Sequence, residues 1–153
     1  MSPPDTFAHV RAESLFVDDL PEPAGTLHAA VFGSPVAHGT IRAIDVEAAA
    51  AAPGVVAIFT ARDIPGENQV GVIIEDEPLL ADDEVHYFGQ PIAVVVAESS
   101  AQARAAIRRI AIDIDKRPPE FDPRRAAARG DLIAPSRTLS MGKVDEAWAR
   151  CAT

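Results

Sequence analysis

The chain has 153 residues, 48% hydrophobic and 24% charged, enough for one domain that buries roughly 70% of its unfolded surface. Its 23 acidic residues outnumber 14 basic ones, for a net charge of −9, which argues against a nucleic-acid or anionic-membrane partner. The single cysteine, Cys151, makes no internal disulfide and cannot alone hold an iron–sulfur cluster or a structural zinc, each of which takes about four ligands.

A reducing, cytoplasmic setting is expected from that cysteine usage. No basic and then apolar leader opens the sequence, and no run reaches the roughly 18 apolar residues of a membrane helix. Met1 to Glu22, rich in Pro and Asp, reads as a surface arm. Leu27 to Phe32 and Thr40 to Asp45 read as strands, separated by Gly33-Ser34-Pro35 and His38-Gly39. Asp45 then caps a short helix over Val46 to Ala52, which Pro53-Gly54 stops, and Val55 to Thr60 returns to strand. The acidic stretch after Thr60 is broken by Gly and Pro and reads as a long loop ending near Tyr87.

Gly89-Gln90-Pro91 reads as a tight structural turn in which the Gln90 amide pairs with nearby backbone. Ile92 to Ala97 is apolar at every position, so this strand is central in its sheet and covered on both faces. Ser99 and Gln102 form a capping box for a helix that buries Ala103, Ala106, Ile107 and Ile110. Ile110, Ile112 and Ile114 then alternate with Ala111, Asp113 and Asp115, giving a strand with one apolar face and completing a β-α-β unit. Beyond Arg117, prolines leave only short helices over Pro123 to Ala128 and Val144 to Cys151.

Candidate chemistry is sparse. The acidic groups Asp18-Asp19, Glu75-Asp76-Glu77 and Asp82-Asp83-Glu84 lack the calcium-loop pattern and read as solvated surface. His9, His28, His38 and His86 are scattered, with no i, i+4 pair to aim two imidazoles at one metal. Ser34 lacks the flanking glycines of a nucleophile elbow, and the segment from Gly66 to Gly71 lacks the Lys-Ser/Thr of a phosphate loop. Cys151 has only Arg150 as a basic neighbour and reads as a plain helix residue. No catalytic residue and no metal site is expected.

The ordered series VDDLP, SPVAH, PGV, TARDIPGEN, VHYFGQP and VAES resembles the start of the molybdenum-binding subunit of bacterial xanthine dehydrogenase, within the xanthine and aldehyde oxidase family. The resemblance runs from about Ala8 to the end of the chain. It implies an α/β-hammerhead domain, an α+β fold of mixed sheet with flanking helices, over residues 23–116. Residues 1–22 would be the arm, and residues 117–153 a linker leading toward a molybdopterin-binding region. It further implies a parent enzyme that hydroxylates a purine or aldehyde carbon with water, using molybdopterin-bound molybdenum, [2Fe–2S] clusters, FAD and then NAD.

In the family, the catalytic glutamate and the molybdopterin-gripping residues lie downstream, so no cofactor is expected on this chain, which is read as a truncated piece, a split-gene product or a remnant. Its expected partners are the remaining molybdopterin-binding part and the iron–sulfur/FAD subunit, with self-association, as a two-fold dimer, in isolation. The resemblance places Val72, Ile73 and Ile74 beside the substrate funnel, while packing beneath their own loop is the competing reading. Ala12 stands where the resemblance leads to glycine, and alanine fits there only with negative φ. The expected role is a scaffold that shapes substrate access and holds subunits together; the alternative is a free-standing interaction module.

Overall fold

A computed structural model describes residues 5–73 and 75–151. The chain divides into two compact units, one ending at Arg117 and the other beginning at Pro118. The first unit holds α1 (Asp5–Val10), β1 (His28–Gly33), β2 (Gly39–Asp45), α2 (Glu47–Ala50), β3 (Val55–Thr60), β4 (Glu84–Val85), β5 (Pro91–Ala97), α3 (Ser100–Ile107) and β6 (Ala111–Lys116). The second holds α4 (Pro123–Arg129) and α5 (Val144–Ala149). No described helix is long and apolar enough to cross a membrane.

The class is α+β, and the strands divide into two three-stranded sheets, ordered β1-β5-β3 and β4-β2-β6. The pairings are antiparallel in both rather than mixed. β5 is central, as its unbroken apolar sequence predicts. The predicted β-α-β unit is not one, because β5 and β6 lie in different sheets. The physical reason is the differing pattern of the two strands. β5 is apolar on both sides and sits between two partners, whereas β6 has one polar face and pairs at an edge with β2.

Alanine makes the first core. Ala49 and Ala52 near α2, Ala93 and Val95 of β5, Ala106 of α3 and Ile110 form one buried cluster. Side chains this small let α2 and α3 approach the sheet closely, so modest helices cover one whole face. A second cluster of Ala81, Val85 and Ile92 is packed by Ile41, Ile44, Ile112 and Ile114. Phe32 and Ile44 border both clusters and join them into one interior.

Local details follow from the same sequence. Ile41 pairs with Ile114 and Ile44 with Ile112, although Ile41 and Ile44 are three residues apart and Ile112 and Ile114 only two. A bulge between Ile41 and Ala43 absorbs the extra residue and keeps both isoleucines facing the core. Ser99 caps α3 by accepting the Gln102 N–H at 3.3 Å. Gln102 does not complete the expected box on the Ser99 backbone. Its Oε1 accepts the Ser99 hydroxyl at 2.7 Å, and its amide lies against Gly54, where a Cβ would collide with it. α2 is a single turn, shorter than predicted, with Asp45 Oδ1 accepting the Glu47 N–H at 2.9 Å.

The arm carries an unpredicted helix. α1 is six residues long, and Phe7 and Val10 on it are exposed, so no buried stripe betrayed it. It ends in a Schellman motif: the Glu13 N–H donates to the Ala8 carbonyl at 2.8 Å and the Ala12 N–H to that of His9 at 3.2 Å. α4 ends identically, with Asp131 donating to Ala126 and Gly130 to Ala127. In α4 the left-handed residue is Gly130, at φ 77°; in α1 it is Ala12, at φ 58°. The condition on which alanine would fit there, a negative φ, is therefore not met, because the motif takes a left-handed residue whatever its side chain. Left-handed backbone costs an alanine about 1 kcal/mol relative to glycine. Ala12→Gly is accordingly expected to slow amide exchange across residues 7–13 about fivefold, read by hydrogen–deuterium exchange; unchanged protection would show that Ala12 is unstrained.

Candidate functional site

The segment between β3 and β4 is closed at its neck by side-chain amides. Asn68 Nδ2 donates to the Leu80 carbonyl at 2.7 Å, while its Oδ1 accepts the Leu80 N–H at 3.0 Å. One step further out, the Val70 N–H donates to the Glu77 carbonyl at 2.9 Å, and Gln69 Oε1 accepts the N–H groups of Gly71 and Glu77. Beyond this double clamp the tip presents Val72 and Ile73, which are 98% and 95% exposed. Neither packs beneath its own loop. Ile74 lies outside the described residues. Glu75, Asp76 and Glu77 flank the tip on the surface.

The turn before β5 is built by close backbone approach. Gly89 has φ 84° and donates its N–H to the Ser34 carbonyl at 2.9 Å, and the Ser34 N–H donates to the Gln90 carbonyl at 2.9 Å. A Cβ on Gly33 would lie 2.8 Å from the Gly89 carbonyl oxygen, so glycine is required for the contact. Gln90 is buried and its Oε1 accepts the His86 N–H at 2.7 Å. Pro91 opens β5. Ser34, also buried, spends its hydroxyl on the Val36 backbone, which leaves it no nucleophilic role.

Three groups that the sequence left scattered meet beside this turn. The β2–β4 pairing sets Thr40 opposite Glu84, so His38 Nε2 reaches Glu84 Oε1 at 3.0 Å. Arg117 Nη1 donates to the same oxygen at 2.8 Å. The His86 ring stacks on that of His38, with centroids 6.2 Å apart. Glu84 is held below the usual carboxylate range, mainly by the His38 hydrogen bond; partial desolvation opposes this, and the Arg117 and His86 charges add to it. Only a long-range pairing signal could have found this trio. His9 and His28 lie elsewhere, against Phe16 and Glu22 respectively.

The remaining feature is a face. On the side of the first sheet away from Ala93, Val95 and Ala97, cross-strand neighbours run Ala29-Val96-Ala57 and Val31-Val94-Phe59. Val31 is 53% and Phe59 46% exposed, and an apolar groove continues from them to Leu79 and Leu80 at the loop neck.

The described residues of the first unit thus form a two-sheet α+β fold with an apolar outer face. The family described as "Aldehyde oxidase and xanthine dehydrogenase, a/b hammerhead domain" matches residues 11–118, and the chain belongs to it. It is 42% identical over 109 residues to xanthine dehydrogenase 1 of Arabidopsis thaliana, covering 71% of this chain and 8% of that protein. It is 38% identical over 141 residues to aldehyde oxidase 2 of Mus musculus, covering 92% and 10%. The aldehyde oxidoreductase of Desulfovibrio desulfuricans superposes with a TM-score of 0.74 at 30% identity, over 82% of this chain and 15% of that one. The chain thus spans about a tenth of the length of the curated relatives it matches.

Because Gln90 supplies the acceptor for a backbone N–H inside the turn, Gln90→Met, of similar shape, is expected to lower unfolding free energy by about 1–3 kcal/mol. Urea denaturation checks this; a loss of only a few tenths would mean that water replaces the amide without cost.

Proposed function

We propose that this chain is the scaffold and substrate-access domain of a xanthine dehydrogenase-like molybdenum hydroxylase and contributes no catalytic group to it. The observation that carries this reading is the bare outer face of the first sheet. A strand apolar at every position needs cover on both sides. α2 and α3 cover one side of β5 and, among the described residues, no helix covers the other, so the face built from Val31, Val94, Val96 and Phe59 is in this reading an interface. Its occupant in this reading is the molybdopterin-binding part of the same enzyme. Isolated chains would pair through the same face, as a two-fold dimer.

The whole enzyme would hydroxylate a purine or aldehyde carbon with oxygen from water at molybdopterin-bound molybdenum. Electrons would leave through [2Fe–2S] clusters and FAD to NAD, in a cytoplasmic setting. Those centres belong to other parts of the assembly: one cysteine cannot ligate a [2Fe–2S] cluster. This chain's own part is steric. Val72 and Ile73, raised on a clamped neck, and Ile74, next in sequence, would line the approach to the reacting centre, while the Gly89-Gln90-Pro91 turn fixes the link between β4 and β5 through the Gln90 side chain.

Val31→Glu is expected to leave the isolated domain folded and to weaken its association with the separately expressed molybdopterin-binding part about thirtyfold or more, the loss typical of a buried interface anchor. Sedimentation showing unchanged association would remove the carrying observation. In the complete enzyme, Ile73→Glu is expected to raise KM for substrate or lower kcat/KM with molybdenum content unchanged. Unaltered kinetics would remove the access role and leave the scaffold role standing.

A further inference from the structure

His38, Glu84 and His86 each offer a ligand atom, and these atoms all lie within 4.8 Å of one another. We propose that they form a binding site for a divalent transition-metal ion of the zinc class, held by two imidazole nitrogens and one carboxylate oxygen, with solvent completing the coordination. Nitrogen donors favour zinc, copper or nickel over calcium or magnesium, which take oxygen ligands.

The geometry is close to what such an ion needs. Two ligands of a tetrahedral zinc, each about 2.0 Å from the metal, stand about 3.3 Å apart. His38 Nε2 and Glu84 Oε1 are 3.0 Å apart, so a metal replaces the proton between them with little movement. The exposed His86 ring, already stacked at 25° to that of His38, rotates about its side-chain bonds to supply the third corner.

The supporting backbone is fixed independently of the ion. Gly39, next to His38, pairs with Val85, and the Ile41 N–H donates to the Asp83 carbonyl at 2.8 Å. The His86 N–H is held by the buried Gln90. Arg117 shares the ligand oxygen of Glu84 at 2.8 Å. On metal binding the guanidinium moves to the second carboxylate oxygen, the kind of outer hydrogen bond that ligating carboxylates keep. The ion would then pin the end of the long loop to β2, a role distinct from the scaffold and access reading and independent of it.

The test is zinc titration of the tag-free 153-residue chain, with affinity measured by competition against a chromophoric chelator and coordination read from the visible spectrum of the cobalt(II) form. One ion per chain is expected. His86→Ala, at an exposed position that leaves the core intact, and Glu84→Gln, which keeps an acceptor for His38, should each weaken binding at least about tenfold. His28→Ala, remote from the trio, should leave affinity unchanged. Absence of stoichiometric binding at micromolar zinc, equal weakening by His28→Ala, or full affinity in a folded His86→Ala chain would each overturn the site.

Discussion

β5 has no polar side, and that constraint organises the unit. Ala93, Val95 and Ala97 need cover on one face and Val94 and Val96 on the other. The first need is met with small residues: Ala49, Ala103 and Ala106 are completely buried, so short helices suffice where bulkier side chains would hold them away. A helix as brief as α2 has little stability of its own, and its single turn persists because the sheet buries it. Phe32 and Ile44 carry the same packing into the second sheet, whose isoleucines would otherwise have no interior to face.

How much of this is legible in the sequence depends on range. The strands of the first sheet and α3 announce themselves through alternation, an apolar run and a serine cap, all signals contained within a few residues. Sheet membership does not. Nothing local says that β6 leaves the sheet of β5 to pair with β2, because that choice is made by Ile41 and Ile44 some seventy residues earlier. The site divides along the same line. Gly89 and Gln90 are visible as turn residues. The His38–Glu84–His86 trio exists only through a two-residue strand, β4, too short for any periodicity to register.

Exposure was the other hidden quantity. Val72 and Ile73 read equally well from sequence as loop filling or as display, since hydrophobicity does not record direction. The neck decides it. Asn68 and Gln69 fill the neck with amides that bond to backbone, and the tip residues Val72 and Ile73 stand exposed beyond them. The clamps recognise main chain alone, so they place no demand on the side chains of Val72 and Ile73.

The strand order also imposes a timetable on synthesis. β1 and β3 are made first but do not pair with each other; both bond to β5, and β2 likewise waits for β4 and β6. A ribosome that has delivered the first 80 residues has therefore released three of the six strands with none of their sheet partners, Val31 and Phe59 among their side chains. Folding of the nascent unit is deferred until the Gly89-Gln90-Pro91 turn emerges, and β5 then closes the first sheet from its middle outward. Until then the three strands carry unpaired edges, the feature through which partly made chains associate.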